Sequence, residues 1–115
     1  TTAQAPGDSE QQLVDAEVEV ERLPATEAGV SLPAVLAQLA GRGITSVMVE
    51  GGATVLESFF TAGLIDFVCL TTSPVRLAGP LALPCGEQTR AALERFSAAQ
   101  TLHVGGDVIT AGPFR

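Results

Sequence analysis

The segment Val47-Met48-Val49-Glu50-Gly51-Gly52-Ala53-Thr54-Val55-Leu56 holds the most chemically suggestive arrangement in the chain. An apolar run ends in a carboxylate and two glycines, then passes at once into a helical pattern. Glycines let a phosphate approach the main chain, and N–H groups at a helix start point toward it. The helix dipole adds a partial positive charge of about +0.5 at that end. Glu50 would stand at the carboxyl end of an internal strand, where ligands bind in open α/β sheets. Its carboxylate can accept hydrogen bonds from a ligand's N–H or O–H groups. Plainer readings stay open beside this one. Gly51-Gly52 also serves as a tight strand-to-helix turn, because such loops are commonly short. Glu50 also reads as a solvated loop residue.

Composition removes several kinds of chemistry. The formal net charge is −7 and the six basic residues are all arginine. With no lysine, a Walker phosphate loop and Schiff-base catalysis are both excluded. The arginines do not cluster, so no nucleic-acid partner is expected. A local anion site could still be built from backbone N–H groups at a helix start. Cys69 and Cys85 form no CxxC pair, and His103 has no partner at a metal-ligand spacing. Two reduced thiols, no metal and a cytoplasmic location are the expectation. No stretch is apolar for the ~18–20 residues that a membrane helix needs. No signal peptide is visible, and the chain opens on Thr1-Thr2 without a methionine, which suggests truncation or processing.

The elements that must position the turn follow from periodicity. Asp8 or Ser9 is expected to cap a short helix running to about Ala16. Val18, Val20 and Leu23 alternate with Glu17, Glu19 and Arg22, which predicts a strand ended by Pro24. Ser31 caps the clearest helix, with Leu32, Val35, Leu36 and Leu39 on one face, Pro33 in its first turn, and Gly41 and Gly43 closing it. Ile44 to Val49 reads as a buried parallel strand. A second amphipathic helix carries Leu56, Phe59 and Phe60 and ends at Gly63, and another strand runs from about Asp66 to Thr72. That order predicts two right-handed crossover units on a largely parallel sheet. Ser73 to Glu87 reads as a long ordered loop, Thr89 to Ala99 as a helix, and the end as a β-hairpin turning at Gly105-Gly106.

These residues together resemble a known family. Arg42-Gly43-Ile44, Val49 to Thr54, Ser58-Phe59-Phe60, Ala62 to Asp66 and Ser73-Pro74, in this order, look like the C-terminal half of the pyrimidine reductase domain of bacterial riboflavin biosynthesis. The likeness is close over about residues 1 to 80 and looser after that, with Gly105 to Ile109 similar to the family's last strand pair. It implies a dihydrofolate reductase-like fold, a three-layer αβα sandwich with a mixed, mostly parallel sheet, incomplete at its N-terminus. Residues 1–115 would then be the C-terminal part of a reductase domain. The implied activity uses NADPH to reduce the ribosyl group of an aminopyrimidine ribosyl phosphate to ribityl. By the same resemblance, Gly51, Gly52 and the N–H groups of Ala53 and Thr54 would hold cofactor phosphates. Glu50 would bind substrate, and Thr1 and Thr2 would touch the adenosine side of the cofactor. The catalytic residues stay unassigned.

The sequence also departs from the family. Phe67 replaces a usual acidic residue, Glu17 stands where a glycine is common, and Leu77 to Cys85 departs from a glycine-rich loop. The family's first strands and substrate-phosphate contacts do not precede Thr1. A fragment of a longer polypeptide, a chain completed by another chain, and a degenerate half-domain kept for association all fit that gap. The alternatives to reduction of this substrate are a non-catalytic nucleotide-binding or association module and a related reductase of another substrate. The exposed edge and apolar terminal strands suggest a homodimer. Asp66, His103, Arg76 and Arg90 read as structural or solvated residues rather than chemical ones.

Overall fold

A computed structural model describes residues 1–27, 29–76, 87–94 and 96–114. It divides into two compact units, Thr1–Met48 and Val49–Arg115, each described by itself. The chain is mixed α/β. Among the described residues, no helix is long and apolar enough to cross a membrane.

The first unit opens with helix α1, Gly7–Asp15. Pro6, not Asp8 or Ser9, occupies the cap position. Asp8 instead lies in the first turn with Glu10, where both carboxylates favour the positive end of the helix dipole. The helix stops at Ala16, and Glu17 follows with φ of 60°. This left-handed backbone crowds a Cβ.

The strand expected over Val18 to Leu23 does not form. Its one ladder contact is a parallel bridge between Thr2 and Leu23. Alternation alone makes no strand; a neighbour must take the backbone hydrogen bonds along its length. Charged groups organise the segment instead. Arg22 donates to the carbonyls of Thr2, Ala3 and Ala5 at 3.1, 3.0 and 3.3 Å and to Glu10. Arg42 meets Glu19 at 2.6 Å and also pairs with Glu21.

A two-residue hairpin, β1 (Ala25–Thr26) with β2 (Gly29–Val30), leads into helix α2, Leu32–Gly41. The α2 reading holds in full. The Ser31 hydroxyl accepts from the Ala34 N–H at 3.4 Å, and Pro33 sits in the first turn. Gly43, with φ of 81°, turns the chain away, and the Ile44 N–H returns to the Leu39 carbonyl at 3.1 Å.

Residues 44–50 then form no helix or strand, and no described strand pairs with them. Met48 is 82% exposed, so the buried parallel strand read from Ile44 to Val49 is not formed. An apolar, β-branched run records a preference for a sheet, and the neighbours decide whether the sheet exists.

The second unit contains helix α3 (Ala53–Thr61), strand β3 (Phe67–Thr72), helix α4 (Glu87–Glu94) and strands β4 (Gln100–Val104) and β5 (Asp107–Pro113). Gly63, with φ of 64°, ends α3 as expected. The hairpin β4–β5 turns at Gly105-Gly106, also as expected. The three strands lie in the order β3-β5-β4, with both pairings antiparallel. This corrects the expectation of a mostly parallel sheet and of successive crossover units. The partner of β3 is the last strand of the chain, which returns in the opposite direction.

Helix α4 ends at Glu94, five residues short of the expected Ala99. Close packing over β5 explains the early stop. The Ala99 N–H bonds the Ala111 carbonyl at 2.9 Å, and a Cβ on Gly112 would lie 2.7 Å from the Ala99 nitrogen. Phe59 and Val68 are the buried apolar side chains among the described residues. Phe60 meets Phe114 edge to face at 5.4 Å between ring centres. The loop expected from Ser73 lies mostly outside the described residues, as do Cys85 and the Arg90 side chain.

Two measurements follow. Replacing Glu17 with glycine removes a crowded left-handed Cβ and should raise unfolding free energy by about 0.5–1 kcal/mol, read as a higher urea midpoint. Glu17→Val should lower it. The Arg42 hydrogen bond, and secondarily its charge, hold the Glu19 carboxyl below the usual 4.5. A depressed carboxylate contributes stability above the unfolded value and loses it as pH falls through the folded value. Glu19→Gln should therefore flatten the loss of stability below pH 4.5. The Glu19 carboxyl carbon should titrate below that pH by NMR, and Arg42→Ala should return it to the ordinary value.

Candidate cofactor turn

The Glu-Gly-Gly turn is built by two glycines with different jobs. At Gly51 a Cβ would lie 2.6 Å from the Val55 Cβ and 2.7 Å from its Cγ1. No side chain fits there, so Gly51 lets the chain pass tightly over the first turn of α3. Gly52 caps that helix with extended backbone, φ −64° and ψ 174°, and makes no side-chain cap bond. A Cβ on Gly52 would meet nothing within 4 Å. That side of the turn is open to an approaching group.

The helix start leaves two donors uncommitted. The N–H groups of Val55 and Leu56 both reach the Gly52 carbonyl, at 3.0 and 3.1 Å. Ala53 and Thr54 stand ahead of them, where a helix offers no internal acceptor, and none of the described residues accepts from either. These two N–H groups therefore lie beside the open face of Gly52. Glu50 is exposed two positions before the helix. Its negative charge suits ligand donors and opposes an anion, so a phosphate at the N–H pair requires the Glu50 carboxylate to point elsewhere.

The expected site residues divide between the units. Glu50, Gly51, Gly52, Ala53 and Thr54 are brought together at one helix start. Thr1 and Thr2 belong to the first unit, where their backbones are structural. The Thr1 ammonium donates to the Glu21 carbonyl at 2.8 Å, and the Thr1 carbonyl accepts from Leu23 at 2.8 Å. Among the described residues, no group of three His, Cys, Asp or Glu could hold a metal ion. His103 and Cys69 are exposed on strands.

Sequence reasoning missed a contact that anchors α3. The Thr89 hydroxyl, 1% exposed, donates to the Glu57 carboxylate at 2.5 Å. It joins α4 to the helix that carries the turn. Thirty-two positions separate the two residues and neither lies in a motif, so no local signal marks the pair. An open depression of about 480 Å³ lies between Phe60, Gly63, Ile65, Asp66 and Phe114. It sits at the C-terminal end of α3, away from the glycine turn.

A glycine turn feeding an open helix start offers N–H donors to an anion. The RibD C-terminal domain family matches residues 1–110. The riboflavin biosynthesis protein RibD of Bacillus amyloliquefaciens is 38% identical over 89 residues, which are 73% of this chain and 24% of that protein. The chain belongs to the RibD C-terminal domain family, and it spans about a quarter of that relative's length.

The Gly51 contact generates a stability test. Gly51→Ala should cost about 1–3 kcal/mol, the usual penalty for forcing a group into filled space. Adding Val55→Ala should recover part of that loss, because Val55 supplies all three close atoms. Gly52→Ala should leave the urea midpoint nearly unchanged.

Proposed function

We propose that this chain supplies the cofactor-phosphate turn of an NADPH-dependent pyrimidine reductase of riboflavin biosynthesis. Membership of the RibD C-terminal domain family supports a reductase of that pathway. The observation that carries the cofactor role is the uncommitted N–H pair of Ala53 and Thr54 beside the open face of Gly52.

The donor set fits a phosphate. Two N–H groups at the positive end of a nine-residue helix suit a phosphate oxygen, and the missing side chain at Gly52 gives it room. Bound NADPH would supply the hydride that turns the ribosyl group of an aminopyrimidine ribosyl phosphate into ribityl. The chain's own residues orient it. Gly51 and Gly52 hold the main chain open, Ala53 and Thr54 donate to phosphate, and Glu50 accepts from substrate donors. The Thr1 and Thr2 hydroxyls, which make no hydrogen bond among the described residues, are proposed for the adenosine side.

In the complete domain we place Ile44 to Val49 as an internal strand of a dihydrofolate reductase-like αβα sandwich with a mostly parallel sheet. The exposed, unpaired apolar run supports that reading. A cytoplasmic location agrees with the free Cys69 thiol. The same exposure favours a second reading, a half-domain kept for association without catalysis. A reductase of a different imine or carbonyl substrate would use the same turn.

Calorimetric titration of the 115-residue chain with NADPH tests the proposal. Saturable binding should weaken by at least about tenfold in Gly52→Asp, where a carboxylate would face the phosphate, and persist in Glu50→Gln. A folded chain that shows no NADPH binding would leave the association reading in its place.

A further inference from the structure

We infer that Thr89 is a positioning residue: its hydroxyl holds the Glu57 carboxylate at the start of α4, clear of the N–H pair at the start of α3. The inference rests on the cofactor reading above and adds to it the residue that keeps the turn receptive to an anion. Glu57 is the one charged side chain on α3, whose sequence is Ala-Thr-Val-Leu-Glu-Ser-Phe-Phe-Thr. It stands three positions after Thr54 and four after Ala53, which puts it on their side of the helix and about 4.5–6 Å along the axis. Helical side chains lean toward the N-terminus, over the preceding turn. Left to itself, the carboxylate would lean toward the donors proposed for a phosphate and repel that phosphate.

Two helix starts compete for this carboxylate. Each has N–H groups without an internal acceptor and the positive end of a dipole. Thr89 decides between them. It is the third residue of α4, within the first turn, and its hydroxyl donates to Glu57 at 2.5 Å. Thr89 is 1% exposed, so its donor is shut away from water. Hydrogen bonds to a carboxylate are roughly twice as strong as neutral ones, and this one fixes which way Glu57 points. With Glu57 committed to α4, Ala53 and Thr54 keep their N–H groups for another anion.

The same bond also docks α4 on α3, and charge separates the two roles. Calorimetric titration of the 115-residue chain with NADPH compares the variants. Thr89→Val keeps the side-chain shape but frees the carboxylate, and like-charge repulsion should weaken binding about three- to tenfold. Thr89→Ser keeps the hydroxyl and should bind as the parent chain does. Glu57→Gln removes the charge and should bind at least as tightly. Thr89→Val combined with Glu57→Gln should regain the parent affinity, although α4 still lacks its hydroxyl. A role in docking alone predicts a double variant as weak as Thr89→Val. That result, or Thr89→Val binding like the parent, would overturn the inference. Thr89→Ala gives the same comparison where valine prevents folding, which the urea midpoint reports.

A readout without NADPH keeps this test apart from the cofactor proposal. The amide proton signals of Ala53 and Thr54 report on a carboxylate that approaches them. Thr89→Val should shift both, and adding Glu57→Gln should return them. Signals that stay in place in Thr89→Val would overturn the inference even where NADPH binds. Signals that move and return in a chain that binds no NADPH would remove the cofactor reading and leave the positioning of Glu57 by Thr89 standing.

Discussion

Backbone hydrogen bonding is the constraint on which the C-terminal unit depends. β5 is the strand that both β3 and β4 require, and without it neither has a described neighbour. It is pinned from two sides. The Phe114 N–H bonds the Asp66 carbonyl at 2.8 Å, which ties the end of β5 to the start of β3. The close pass of residues 97–99 over Gly112 ties the approach to β4 onto the same strand. The turn at Gly51-Gly52 depends on a second local constraint, the fit of bare backbone over Val55. The Thr89–Glu57 bond then couples the helix behind that turn to α4.

Electrostatics narrows how such a chain can meet an anion. It has no lysine, and two of its six arginines are spent internally. Arg22 is shared among three carbonyls and Glu10, while Arg42 lies between Glu19 and Glu21. A guanidinium so committed cannot swing to a phosphate without stranding its carboxylates. Neutral dipoles supply another attraction, and the start of α3 offers them with an open approach. Dipoles act at short range, so they would discriminate by fit rather than by long-range steering.

The parts legible in the sequence were those whose causes are local. α2 carries its own cap at Ser31, its own proline and its own terminating glycine, so its limits could be read directly. The hairpin at Gly105-Gly106 and the helix after Gly52 were legible for the same reason. Strand pairing was not. The runs at 18–23 and 44–49 have the composition of strands, but composition cannot supply a neighbour. β3 matches its expected limits to within a residue, yet its direction relative to the sheet is set by residues 107–113, about forty positions away. For the candidate site, the steric need for Gly51 and the freedom at Gly52 look identical as two adjacent glycines. Only the position of Val55 separates them. Thr89–Glu57 was invisible for the same reason as the strand partners.

Two exposed segments carry this distinction further. Among the described residues, 45–50 and the outer side of β4 have no strand partner, but their residue patterns differ. The 44–50 run is apolar on successive positions, Val47-Met48-Val49, as expected of a strand covered on both faces and both edges. β4 alternates Leu102 and Val104 with Thr101 and His103, the pattern of a strand with two unlike faces. The first pattern suits an interior position in a sheet, and the second an outer edge with two unlike faces.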